Sequence, residues 1–131
     1  MMRLFQILCI IFAVFAVSCK EETSPEELAA KAAKIYYEHL FSGNYSEYLS
    51  GLDGTDSIPE NYREQLLVNV KQFVVSQKAI HNGIGEVRVL RSQTDSVAGY
   101  TNVFLLLCFG DSVKEEVVVP MVERDGVWRM K

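Results

Sequence analysis

The hydrophobic period of this chain changes once, near residue 83, and no other feature constrains the fold as strongly. Before it, apolar residues recur every three or four positions, as on one face of a helix. After it they alternate, as on one face of a strand. Ser24-Pro25-Glu26-Glu27 opens the first helix: Ser24 can cap free amides, Pro25 suits the first helical position, and Glu27 completes a capping box. Leu28, Ala32, Ile35 and His39, widened by Tyr36 and Leu40, form its predicted buried face, and Gly43-Asn44 stops it. A short helix is predicted over 45–52, showing Tyr45, Tyr48, Leu49 and Leu52. Ser57-Ile58-Pro59-Glu60 repeats the start signal for a long helix to about residue 79. Its apolar face is Leu66, Leu67, Val70, Phe73, Val74 and Gln77.

Strands are predicted near 84–93, 97–109, 113–123 and 127–131. The links between them, Thr94-Asp95-Ser96, Gly110-Asp111-Ser112 and Arg124-Asp125-Gly126, are short enough for hairpins. Consecutive hairpins make an antiparallel meander, and helices followed by strands make an α+β fold rather than α/β. In the second strand Val103, Leu105, Leu107 and Phe109 point one way, while Phe104, Leu106 and Cys108 point the other. A face covered by helices on one side only would alternate with polar residues. Something should therefore cover the second face: another part of the domain, a second copy of the chain, or a ligand. Pro120 cannot donate to a ladder, which predicts an edge or a bulge there.

The first eighteen residues are a leader: Arg3, an apolar run over 4–17, and Ser18. The run falls short of the about 20 apolar residues of a spanning helix. Glu21 and Glu22 stand on its far flank in place of basic residues, which argues against a membrane helix. Residues 7–17 have no polar face, which argues against a buried helix of the domain. Ala16 and Ser18 are small at the two positions a signal peptidase inspects, so the chain is either an ordinary secreted protein or a lipoprotein cut at the same bond. Ala16-Val17-Ser18-Cys19 resembles the cleavage box of bacterial lipoproteins, with Ala16 where the commonest form has leucine. That resemblance implies a signal peptide over 1–18, a lipid on Cys19, an acidic tether over 19–23 and a domain over 24–131. The place implied is the bacterial cell envelope, with attachment to the outer membrane through lipid. Lys20-Glu21-Glu22 resembles the export tag of surface-displayed lipoproteins, and a plain solvated tether fits it equally well.

Cys9 would leave with the leader and Cys19 would be consumed by lipid, so Cys108 has no partner for an internal disulfide. Its neighbours Leu105, Leu106, Leu107 and Phe109 are hydrocarbon, which favours a structural thiol over a reactive one. The formal net charge is −4, with acids and bases interspersed and no basic stripe, which argues against nucleic acid as a partner.

Three helices followed by four strands, with Phe41-Ser42-Gly43-Asn44-Tyr45 after an alanine-bearing helix and Asp125-Gly126-Val127-Trp128 in the last hairpin, resemble a known group. These are small bacterial lipoproteins with a nuclear transport factor 2-like (cystatin-like) domain. The resemblance spans 24–131 and implies a curved, cone-shaped sheet wrapped against the long helix and open at one end. Relatives use that shape for small-molecule pockets or for dimerisation, and the fold alone does not select between them.

Enzymes on such a cone, ketosteroid isomerase and related cyclases and dehydratases among them, need a carboxylate or histidine base inside it and a donor for developing negative charge. Glu86, Glu115, Glu116 and Glu123 are expected to be solvated, and Asp53 and Asp56 are explained by the turns of a Gly-rich loop. His39 and His81 read as helix-end histidines, favourable beside the negative end of a helix dipole. No spacing predicts a metal site, and no cofactor is implied. The pocket candidates are Tyr36, Tyr37, Tyr62, Phe73, Tyr100, Phe104 and Trp128, with Asn102 as a polar group among them; otherwise Asn102 faces water and the aromatics are plain core. The expected protein is a non-catalytic binding or interaction module, with a small apolar ligand, a protein partner or a second copy on the sheet as its occupants. An isomerase or dehydratase using the cone, and a lipoprotein that inhibits another protein, are the alternatives.

Overall fold

The computed structural model describes residues 23–131. The leader, Cys19 and all but the last residue of the tether lie outside the described residues. The elements are α1 (Pro25–Phe41), α2 (Tyr45–Ser50), a 3-10 turn (Thr55–Ser57) and α3 (Glu60–His81). There follow β1 (Ile84–Asp95), β2 (Tyr100–Phe109), β3 (Lys114–Arg124) and β4 (Val127–Met130). The strands form one antiparallel sheet in the order β1-β2-β3-β4, so the fold is the α+β meander that the change of period predicts. Ser24 caps α1 as expected, its hydroxyl accepting from the Glu27 amide at 3.3 Å. Ser57 does not cap α3: its hydroxyl donates to the Gly54 carbonyl, and Pro59 holds the cap position.

α1 lies antiparallel to β1 across the inner face of the sheet. At one end Ser92 Oγ donates to the Glu26 carbonyl at 3.0 Å, and Thr94 Oγ1 donates to the Glu26 carboxylate at 2.7 Å. At the other end Glu38, Phe41 and Ser42 share a cleft with the start of β1. Between them Ala29, Ala30 and Ala33 pack on Val87, Val103, Leu105, Leu107, Val119 and Met121.

This corrects the predicted helix face. Leu28 and Ile35 are 44% and 51% exposed, and the buried side is the alanine side. A concave sheet lined with branched residues leaves little room, so the helix approaches through its smallest side chains. A pattern weighted by large apolar residues points to the wrong stripe.

The second face of the sheet is covered by its own charged neighbours. Phe104, Leu106 and Cys108 are half-buried. The Arg91 guanidinium lies 3.9 Å from the centre of the Phe104 ring and pairs with Glu116 at 3.1 Å. Leu106 sits in register between Arg88 and Glu116, whose stems can shield it while their charges stay in water. Pro120 lies inside β3, and its carbonyl accepts from Lys131 N on the β4 side, one residue beyond the last β3–β4 pair. Its missing N–H falls where β4 ends, and no ladder bond is lost.

The loop after α2 seals that edge. Asp53 N donates to the Met130 carbonyl and Met130 N to the Gly51 carbonyl, both at 2.7 Å, so Leu52 bridges β4 in parallel. Asp53 and Asp56 do more than turn the chain: they pair with Arg124 at 3.1 Å and Arg129 at 3.8 Å.

Candidate functional site

α3 follows different rules from α1. Val74 is its only buried residue among 22, and Phe73, expected inside, is 49% exposed. The helix leans on α2 and touches the end of α1 and the start of β1, leaving space between itself and the sheet. That space is an open cavity of about 390 Å³. Its walls are Tyr37, Leu40 and Phe41 from α1, Tyr48 from α2, and Val70 and Phe73 from α3. Leu107 and Phe109 from β2 and Val117 from β3 close the sheet side. The polar groups are Asn69, Gln77 and Glu115, together with the phenols of Tyr37 and Tyr48.

The two tyrosine rings meet edge to face, with centres 5.9 Å apart and planes at 88°. Burial, and next the adjacent Tyr48, push the Tyr37 hydroxyl well above the usual phenol range; burial does the same to Tyr48. A phenol hydroxyl can donate to or accept from an oxygen of a molecule in the cavity. The remaining wall offers mostly hydrocarbon. Glu115 is the single carboxylate of the lining and it is exposed.

No protein-family model matches the sequence, and no curated protein does. A solved structure from Campylobacter jejuni, described provisionally as an NTF2-like transpeptidase, superposes with a TM-score of 0.60 at 16% identity. The alignment covers 76% of this chain and 94% of that one. The fold is NTF2-like. At that identity the likeness speaks for architecture alone, and the helices packed on a curved four-stranded sheet are what the two chains share.

Of the pocket candidates, the NTF2-like cone brings Tyr37 and Phe73 to the cavity, Phe73 at its mouth, while Tyr62 is exposed on α3. Tyr36 is a strut on the inner side: its hydroxyl donates to the Trp128 carbonyl at 2.7 Å, and its ring lies over Gly51 with no room for a Cβ between them. Trp128 packs partly buried against the core near β4, beside a separate cleft that also holds Tyr100. Tyr100, Asn102 and Phe104 belong to the other face of β2, opposite the buried Thr101, Val103 and Leu105. Alternation along one strand forbids 102 and 104 from sharing a face with 103 and 105.

Glu115 is the lining residue that the sequence reading places elsewhere, among the solvated acids, whereas Tyr48 lies on the predicted apolar face of its helix. The legible signal was Gln77, a polar residue on the apolar face of the long helix. His39 accepts or donates at Asn44, 3.3 Å away. His81 pairs with Asp111 at 2.9 Å and stacks 4.5 Å from Phe109, behind a cavity wall. Among the described residues no three His, Cys, Asp or Glu side chains gather as metal ligands would.

Proposed function

We propose that this protein is a lipid-anchored, non-catalytic binding module of the bacterial cell envelope that holds a small, largely apolar molecule in the cavity under α3. The observation that carries the reading is the lining itself: aromatic and aliphatic walls, with the phenols of Tyr37 and Tyr48 among the few polar groups. Pockets for small molecules have this make-up, a mostly apolar surface with a few placed polar groups. The C. jejuni structure is described as a transpeptidase. Acyl transfer needs an activated hydroxyl or thiol beside a base; the hydroxyls of this lining are the phenols of Tyr37 and Tyr48, and its carboxylate, Glu115, is exposed. The anchor rests on the leader and on Cys19. One acyl chain holds a protein only marginally, whereas several together make release negligible.

Two measurements test the two halves separately. N-phenyl-1-naphthylamine should bind at one saturable site, and Val70→Trp, which fills the cavity from the loosely packed helix, should abolish that binding without unfolding the domain. Dye binding indifferent to Val70→Trp would remove the cavity from the function. Cys19→Ala should move the protein from the membrane fraction to the soluble one; if it stays in the membrane, the lipid reading fails.

A further inference from the structure

One end of the domain is set apart by two features. The first is a protruding apolar tip. In the β1–β2 turn Val97 is 98% exposed, with Ala98 beside it. The Asp95 carboxylate accepts from the amides of Val97 and Ala98, each at 3.0 Å, so the tip is held outward by its own turn. The second is the start of the domain. Pro25 and Glu26 line the same cleft as Thr94, Ser96 and Tyr100, which puts the beginning of α1 next to that tip. The cavity is at the opposite end, since Tyr37, Leu40 and Phe41 come from the last turns of a 17-residue helix about 25 Å long.

The reach from Cys19 to Pro25 is six residues, at most about 20 Å of fully extended chain. A lipid on Cys19 therefore draws the α1 start, and the tip beside it, to the bilayer surface. The far end, with the cavity, cannot be brought there unless the domain turns over on a tether shorter than α1.

We infer that the Val97-Ala98 tip rests on the phospholipid bilayer that holds Cys19, and that the cavity mouth opens away from that membrane. The inference rests on the lipid-anchor reading. Two side chains fit an interfacial position: Tyr100 carries the Lys131 ammonium 4.7 Å over its ring, an apolar body with a charged cap. Glu26, Asp95 and Glu123 line the same cleft, so the surface suits zwitterionic rather than anionic lipid. It follows that the cavity loads and unloads on the side away from its own leaflet.

The test uses the full lipidated protein in phosphatidylcholine vesicles, with Cys108→Ser and a nitroxide on either Val97→Cys or Ile80→Cys. Ile80 is 64% exposed at the end of α3, an apolar control at the opposite pole. The label at 97 should collide several-fold more with oxygen than with a water-soluble nickel reagent, and the label at 80 should show the reverse. Both labels in water, or the label at 80 in lipid, would overturn the inference. If Cys108→Ser fails to fold, a photo-crosslinking amino acid at 97 or 80 in the otherwise unaltered protein gives the same answer: lipid adducts at 97 and none at 80 support it, and the opposite pattern or equal yields overturn it. Mass spectrometry of the same preparation separates the two failures. A bare Cys19 thiol sinks the anchor and the orientation together, while a lipidated Cys19 with a watered tip sinks the orientation alone.

Discussion

α1 and α3 are the two long helices of the domain, yet they are attached in opposite ways. The 17 residues of α1 bury Ala29, Ala30, Ala33 and Leu40, whereas the 22 of α3 bury Val74 alone. α3 carries the longer apolar stripe, Leu66, Leu67, Val70, Phe73 and Val74, although α1 is the more amphipathic of the two. The comparison teaches that small side chains gain burial here because they let two backbones approach, and large ones on a helix held off the sheet enclose space instead. One helix holds the fold together; the other bounds the cavity.

The sharpest way to break this comparison is a pair of truncations. Leu105→Ala, at a fully buried position under α1, should cost about 2–5 kcal/mol in urea unfolding. Phe73→Ala, half-exposed at the cavity mouth, should cost less than about 1 kcal/mol, as surface changes do. Equal losses at the two sites would mean that α3 belongs to the core after all. Next comes Gly51→Ala. Its new methyl runs into the Tyr36 ring, which must rotate and give up the Trp128 carbonyl, so a loss of roughly 1–3 kcal/mol is expected. A neutral result would show that the α1-to-β4 strut is dispensable.

Two pH effects sharpen the comparison further. The Tyr37 and Tyr48 hydroxyls have folded-state pKa values raised above the unfolded phenol value of about 10. Their contribution is fully present below that value, and it is lost as pH rises from there towards the folded values, because only the unfolded chain ionises in that interval. Urea midpoints should fall above about pH 10, and Tyr37→Phe should flatten that limb. A bound occupant that accepts from the phenols should protect against the fall.

The smallest effect is at the other margin of the cavity. The Asp111 carboxyl is held below its ordinary value of 3.8 by the hydrogen bond from His81 and by the Val113 amide. Its contribution is present above the unfolded value and disappears as pH falls through the lowered folded one. Asp111→Asn should make the acid limb of the stability profile slightly shallower and leave the neutral plateau in place.

The elements were legible because local rules settle them. Ser24 caps α1 where the capping pattern puts it, and Asn82, with φ of 59°, ends α3 in the left-handed region beside Gly83. The β2–β3 and β3–β4 turns fall at their predicted clusters, whereas Thr94 and Asp95 pair with Thr101 and Tyr100 and the first turn is 96–99. The predicted start of the second strand at 97 was three residues early, because Asp95 gathers Val97 and Ala98 into the turn. The candidate site was legible in part: Tyr37 and Phe73 among the pocket aromatics, and Tyr48, Val70, Gln77, Leu107 and Phe109 on predicted apolar faces, but not Glu115. Tyr36 and Tyr37 are adjacent on a helix, about 100° apart, and a sequence pattern cannot say which faces β4 and which faces the void. Asn102, Phe104 and Tyr100 stand on the sheet's other face. Both faces of β2 are apolar, so alternation divides its residues into two sets without saying which set meets the helices.

By itself, then, the order of residues determined an α+β meander and the Ser24 cap of α1, since period, caps and turns act over a few neighbours. Tertiary structure alone decided that alanines rather than leucine and isoleucine meet the sheet, that arginine stems cover its second face, and that α3 stands off to leave room beneath. Those outcomes depend on how closely two surfaces can approach, a distance set by every side chain on both.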